Sequence, residues 1–391
     1  MDRIKIQNVG PISNVDFELN KVNVIIGPQS SGKSTIAKII SYCQWVEKRY
    51  LLDGEYKEDV HKQLLDFHHL DENYFDKKSN FEYESDFIKI SYKGKRLEEN
   101  ISINESKILD YRKTKNIYIP AERNFVAVVP NLSKYNETND NIMSLIYDWY
   151  KAKNSFTSQN SLPILNFGIN YYYQKGADLD MLTMSNTPKE IPLKTGSSGL
   201  QSLTPLIVII HEYMTANISC KKNAIAVKEQ DYLMKLKEKY IIPDILEYAK
   251  IVENRSYYAY VNMIIEEPEQ NLFPETQKEL IYYILNKISS VKEHSLLITT
   301  HSPYILYAIN NCIMGAVISN KIEDEKNEFE SKDSWILPDK VNIFEIDETN
   351  GTIRSIKNLK TGTVDKHYFN RISNKIMDEY YNMLNFFSNE K

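Results

Sequence analysis

The chain has 391 residues, of which 42% are hydrophobic and 26% charged, enough for one large core or two modest ones. Its net charge of −5 excludes a general basic field for nucleic acid, leaving only a local patch. The three cysteines, Cys43, Cys220 and Cys312, are too scattered for a disulfide or metal pattern, which suits a reducing compartment.

The opening stretch, IKIQNVGPISNVDFEL followed by NKVNVIIG, predicts three short strands with turns at Gly10-Pro11 and Asn20-Lys21. The first residues, MDRIKIQNVG, lack the continuous apolar run of a signal peptide. The longest apolar run, Leu206 to Ile210, is far short of a membrane span, so a soluble cytoplasmic protein is expected. Residues 35–70 read as helical, and SDFIKISYKGKRLEENISI predicts a hairpin about Lys93-Gly94. KNIYIP is a short strand, followed by an irregular, tyrosine-rich region to about Pro188. Residues 200–255 read as mostly helical, with a break at Pro243. AYVNMII and HSLLITT are buried-strand runs flanking the helix PETQKELIYYILNKIS. The tail holds an acidic run, EDEKNEFESKD, read as a solvated loop, then a strand pair turning at Asn350-Gly351 and a last helix. The 28 tyrosines cluster at Tyr171–Tyr173, Tyr257-Tyr258 and Tyr282-Tyr283, which reads as core packing in an Asn-, Lys- and Ile-rich composition.

Three distant stretches carry chemistry. Gly27-Pro28-Gln29-Ser30-Ser31-Gly32-Lys33-Ser34, followed by Thr35, matches G-x-x-x-x-G-K-[ST] between a strand and a helix. Successive amide N–H groups there form an anion cradle at a helix N-terminus. Lys33 would reach the β and γ phosphates and Ser34 would ligate Mg²⁺. In VNMIIEEPEQNLFP an apolar strand delivers Glu266, expected to hold Mg²⁺, and Glu267, expected to polarise the attacking water. LLITTHSPYIL ends a further buried strand at His301, placed to approach the γ-phosphate. The phosphate loop and the carboxylates lie more than 220 residues apart, with the histidine roughly 35 further on. That is the layout of ABC-type ATPases, with a large insertion between the two motifs. It assigns KTGSSGLQSL to the signature of that class: Ser197, Ser198, Gly199 and Gln201 at a helix N-terminus, directed at phosphate.

With these motifs in view, the chain resembles the ABC-type ATPases of the RecF, SMC and OLD group, and within it the ATPase subunit of PARIS-type anti-phage systems. The stretches that carry this are IKIQNVGPISNVDFELNKVNVIIGPQSSGKST, YIPAERN, SSGLQS, IIEEPEQNLFP and TTHSPYIL. The resemblance implies an α/β fold, a P-loop head with a mixed sheet flanked by helices and an inserted helical lobe. It places the ATPase core in residues 1–124 and 256–391 and the helical, signature-bearing lobe in 125–255. It implies ATP and Mg²⁺ as cofactors and a head-to-tail homodimer, or a higher multiple, in which the signature of one subunit faces the phosphate loop of the other. It further implies a separate effector protein, such as a nuclease, and a phage-derived trigger. The sequence departs from the family at Gln29 (commonly asparagine), Glu266 (commonly aspartate) and Leu200 (commonly a second glycine), and no Q-loop glutamine is evident. Glu122 and Arg123 are candidates for a coupling role or for pairing with each other. About 90 residues follow His301 without the strand-borne acids of a Toprim nuclease, so no nuclease is expected in this chain. The alternative is RecF-like DNA maintenance, with Lys221, Lys222, Lys235, Lys237 and Lys239 as contacts. A transporter ATPase fits the opening strands and YIPAERN poorly.

Overall fold

A computed structural model describes residues 2–54, 61–129, 132, 140–185, 189–214, 225–242, 244–322 and 328–388. Pro243, Lys221, Lys222 and the first part of the acidic run lie outside the described residues. Three strands open the chain: β1 (Arg3–Val9), β2 (Ile12–Glu18) and β3 (Val22–Ile26). Helix α1 (Lys33–Asp53) follows the phosphate loop. A meander of β4 (Phe75–Glu84), β5 (Ile88–Lys93) and β6 (Glu98–Ile103) leads to β7 (Thr114–Ile119). The insertion holds α2 (Phe125–Val128), α3 (Asn141–Lys153), the strands β8 (Leu162–Pro163), β9 (Ile169–Gln174), β10 (Leu179–Met184) and β11 (Glu190–Pro192), then α4 (Ser198–Tyr213), α5 (Val227–Lys239) and α6 (Ile245–Ser256). The chain returns through β12 (Tyr260–Glu266), α7 (Pro274–Ser289), β13 (Ser295–Thr300), α8 (Pro303–Ile318), β14 (Val341–Asp347), β15 (Thr352–Ser355) and α9 (Tyr368–Ser388).

Among the described residues one large sheet runs β6-β5-β4-β1-β2-β15-β14-β3-β13-β12-β7. Its half from β14 to β7 is parallel, and β6 through β2 form an antiparallel wing. The two-residue period of the strands sorts their side chains onto two cores. Val22, Val24, Ile26, Ile117, Ile119, Val261, Met263, Ile265, Leu296 and Ile298 pack with the insertion and with α7 and α8. Ile25, Tyr118, Ile264 and Leu297 face the opposite side, toward α1 and the wing. Glu266 shares the parity of Ile264, so its side chain emerges on the α1 side, where Ser34 lies.

Two features differ from the expectation. The stretch DKKSNFEYE, unassigned in the sequence, is β4: its charges face out while Phe75, Phe81 and Tyr83 are buried against β1 at long range. The insertion is not purely helical. Its tyrosines build both α3 and a small antiparallel sheet of order β11-β10-β9-β8. Tyr171 and Tyr172 in β9 alternate with neighbours so that both faces of that sheet gain cover. No helix among the described residues is long and apolar enough to cross a membrane.

Candidate functional site

The phosphate loop is shaped by backbone that only certain residues tolerate. Gly32, which caps α1, has φ of 99°, and a Cβ there would lie 2.8 Å from Ile12 Cγ1. Ser30 also occupies the left-handed region, at φ 58°. Gln29 and Ser30 are exposed, whereas Ser31, Lys33 and Thr35 are buried. Ser31 Oγ is buried without a hydrogen-bond partner among the described residues. A cradle a Cβ would fill, an orphaned hydroxyl and an ammonium at one helix N-terminus fit a polyphosphate.

Lys33 Nζ donates to the carbonyls of Gly27 (2.9 Å) and Pro28 (2.6 Å) and approaches His301 Nδ1 at 3.4 Å. Burial pushes its ammonium down to about 8, while Glu267, Glu269 and Glu266 pull the other way. Facing an ammonium, Nδ1 of His301 acts as acceptor, which assigns the ring proton to Nε2. That nitrogen meets Glu267 Oε1 at 3.1 Å. The His301 bond is the main reason the Glu267 carboxyl stays below its ordinary range, against burial. The His301 amide in turn donates to Glu269 Oε1 at 2.6 Å. Lysine, histidine and glutamate thus form one chain of contacts across the mouth of the loop.

Glu266 is 5% exposed, and burial raises its carboxyl pKa. Three influences hold it down: the Tyr118 hydroxyl, donating to Oε1 at 2.6 Å, the charge of Lys38, and the Ser34 hydroxyl. One hydroxyl and one carboxylate, both hard oxygen donors, are what a protein supplies to Mg²⁺ when phosphate and water complete its octahedron. Ser34 and Glu266 would hold the ion, and Tyr118 would hold Glu266. Sequence reading missed Tyr118. Its signal was parity, since it stands on β7 beside β12, in register with Ile264.

The residues expected from the sequence to form a signature stand apart from this cluster. Ser197 caps α4 by accepting from the Leu200 amide at 3.4 Å, and Ser197 and Ser198 are exposed. Gln201 Nε2 donates to the carbonyls of Lys194 and Gly196, bracing its own loop. Gly199 packs beside the carboxylate loop: a Cβ there would come 3.1 Å from the Asn271 carbonyl. Among the described residues no hydrogen bond joins Ser197, Ser198, Gly199 or Gln201 to the phosphate loop of the same chain. Arg123 does not pair with Glu122. Its guanidinium is fully buried and spends its donors on backbone carbonyls, as described below.

A phosphate cradle after the central parallel strand, with a carboxylate at the end of a second strand and a histidine at the end of a third, defines a P-loop NTPase. A model of the AAA domain family matches residues 3–332, and the chain belongs to that family. No match was found among curated proteins. Among solved structures the chain is similar to the SMC head domain from Thermotoga maritima, at 11% identity and a TM-score of 0.41 over 90% of this chain and 97% of that one. It is similar to the recombination mediator RecF, at 13% identity and a TM-score of 0.37 over 90% and 97%. It is also similar to the ATP-binding cassette MJ0796, at 11% and 0.33 over 91% and 100%. Likenesses this distant carry no argument about function.

Proposed function

We propose that the chain binds and hydrolyses ATP as one half of a head-to-tail sandwich, and that the nucleotide state controls a separate effector. The observation that carries the hydrolytic part is the Lys33–His301–Glu267 chain of contacts at the phosphate cradle. In it, Lys33 binds phosphate oxygens in place of the Gly27 and Pro28 carbonyls. Glu267, held as a carboxylate by His301, accepts the proton of the attacking water. His301 keeps its Nε2 proton for Glu267. Ser34 and Glu266 would hold Mg²⁺, which would neutralise charge on the phosphates. The dimer is supported by the exposed α4 tip. Ser197 and Ser198 are exposed, and among the described residues neither has a hydrogen bond to its own cradle.

Lys33→Ala should abolish ATP binding and turnover. Glu267→Gln should retain binding while turnover falls about 10²–10⁴-fold, the range for losing a general base. Ser198→Arg should retain binding yet abolish nucleotide-dependent dimerisation and turnover. Unchanged turnover in both Lys33→Ala and Glu267→Gln would remove the hydrolytic reading, and unchanged turnover in Ser198→Arg would reduce the signature to a helix cap. The effector reading follows from the lack of Toprim-type strand-borne acids after His301, its anti-phage role rests on the overall resemblance of the chain, and an adjacent nuclease gene would support it. The RecF-like alternative, DNA binding, is less favoured. Lys239 is paired with Glu105 at 2.7 Å, and Lys237 lies over the Tyr248 ring at 4.8 Å. ATP-dependent, salt-sensitive DNA binding at micromolar protein would reverse that preference.

A further inference from the structure

The side chain of Arg123 is 0% exposed, and its described hydrogen bonds all end on main-chain oxygens from two elements. Nε donates to Ser202 O of α4 at 3.2 Å. Nη1 donates to Glu266 O at 3.1 Å, and Nη2 to Glu267 O at 3.0 Å and Pro268 O at 3.1 Å. Ser202 is also fully buried, and its Oγ accepts from Asn271 Nδ2 at 2.9 Å. The loop so gripped is strained. Glu267 has φ of 44° and Asn271 φ of 61°, and neither is glycine. Such conformations persist only where surrounding contacts fix them. The Glu267 amide is fixed from the other side by Thr299 O at 2.9 Å.

We infer that Arg123 is a positioning residue for Glu267: it uses the buried second turn of α4 as an anchor to hold the Glu267 peptide in its left-handed turn, and so keeps the carboxylate against His301. Each α4 then has two duties. Its exposed tip serves the nucleotide of the partner, and its buried turn serves the catalytic glutamate of its own chain. A planar five-donor guanidinium suits four divergent carbonyls, whereas a lysine ammonium has only three donors for the four. The inference rests on the proposed ATPase reading, and its test separates the two.

In Arg123→Lys, ATP affinity measured with a fluorescent analogue should stay within about twofold of wild type while kcat falls at least tenfold and KM is unchanged. Mixing Ser198→Arg with Glu267→Gln protein leaves one complete site per heterodimer. Arg123→Lys placed in the Ser198→Arg chain, which owns the working glutamate, should lower the restored turnover at least tenfold. Placed in the Glu267→Gln chain it should leave turnover within threefold. Equal loss in both placements would make Arg123 a general brace and overturn the inference, as would an unchanged kcat. If Arg123→Lys does not fold, Asn271→Ala weakens the same anchor from an exposed position. It should lower kcat severalfold with KM unchanged, and a wild-type kcat there would equally overturn the inference. Absence of Lys33-dependent turnover in the wild type would instead remove the ATPase reading itself.

Discussion

Replacing Tyr118 by phenylalanine removes one oxygen and little else. The ring remains packed, edge-on to His68 at 5.1 Å between centroids, so no void opens. What is lost is the 2.6 Å hydrogen bond to Glu266 Oε1, made where both residues are buried. A hydrogen bond to a charged group is worth about 1.5–3 kcal/mol. At about 1.4 kcal/mol per pH unit this amounts to roughly one to two units in the carboxyl pKa. The direction follows from what the hydroxyl does. It donates to the carboxylate form and opposes burial, so its loss raises a pKa that burial already raises. Protons then compete with Mg²⁺ for Glu266 over a wider range. The expected outcome for Tyr118→Phe is an acid limb of the Mg²⁺-dependent turnover profile displaced about one to two units to higher pH. The Mg²⁺ requirement should rise in the acid range, and the deficit should close as pH rises. The assay is phosphate release against Mg²⁺ at a series of pH values. An acid limb and a Mg²⁺ requirement both equal to wild type would refute the assignment of Glu266, with Tyr118 behind it, to the ion.

Three further outcomes follow from the same geometry. Gly32→Ala combines positive φ with a Cβ 2.8 Å from Ile12 Cγ1, so it should cost at least about 1–2 kcal/mol and abolish binding of a fluorescent nucleotide; wild-type affinity would contradict the cradle. His301→Ala removes the main group lowering the Glu267 carboxyl pKa. Turnover should fall about 10²-fold with its acid limb moved to higher pH, and ATP affinity should be kept; full turnover would leave His301 structural. Away from the site, the single Tyr83 hydroxyl lies 2.9 Å from Asp2 Oδ2 and 3.0 Å from Glu47 Oε2. One proton cannot serve two carboxylates, so one carboxyl keeps its own. Burial first, then Asp2, push the Glu47 pKa from about 4.5 up to about 8. The folded state therefore binds a proton that the unfolded state releases. The associated stability is complete below about 4.5 and is lost as pH rises through about 8. Glu47→Gln should flatten the fall in melting temperature between pH 5.5 and 8.5, and an unchanged slope would show that the pair does not hold the proton.

Local chemistry made much of this protein legible without coordinates. The phosphate loop is contiguous, and its glycines are demanded by backbone that other residues strain to adopt, so Gly27 to Thr35 announce both the turn and its anion. The runs VNVII, VNMII and LLITT are apolar because parallel strands are covered on both faces, which marked β3, β12 and β13 and placed Glu266, Glu267 and His301 at their ends. The hairpin about Lys93-Gly94 was equally local. What the sequence could not show are relations between segments whose meeting is fixed by packing alone. β4 pairs with β1 across some seventy residues, and its charged outer face hides the buried Phe81 and Tyr83. The β9–β10 hairpin of the tyrosine-rich insertion is local, turning between Gln174 and Leu179, but its packing against the rest of the insertion is not. Above all, tertiary structure decided the company each site residue keeps: His301 between Lys33 and Glu267, Tyr118 behind Glu266, and Arg123 joining α4 to the carboxylate loop. Side-chain type names a capacity for charge or hydrogen bonding. Which partner uses that capacity depends on the strand order and on the alternation that turns Glu266 toward α1, and neither is written in any one stretch of the chain.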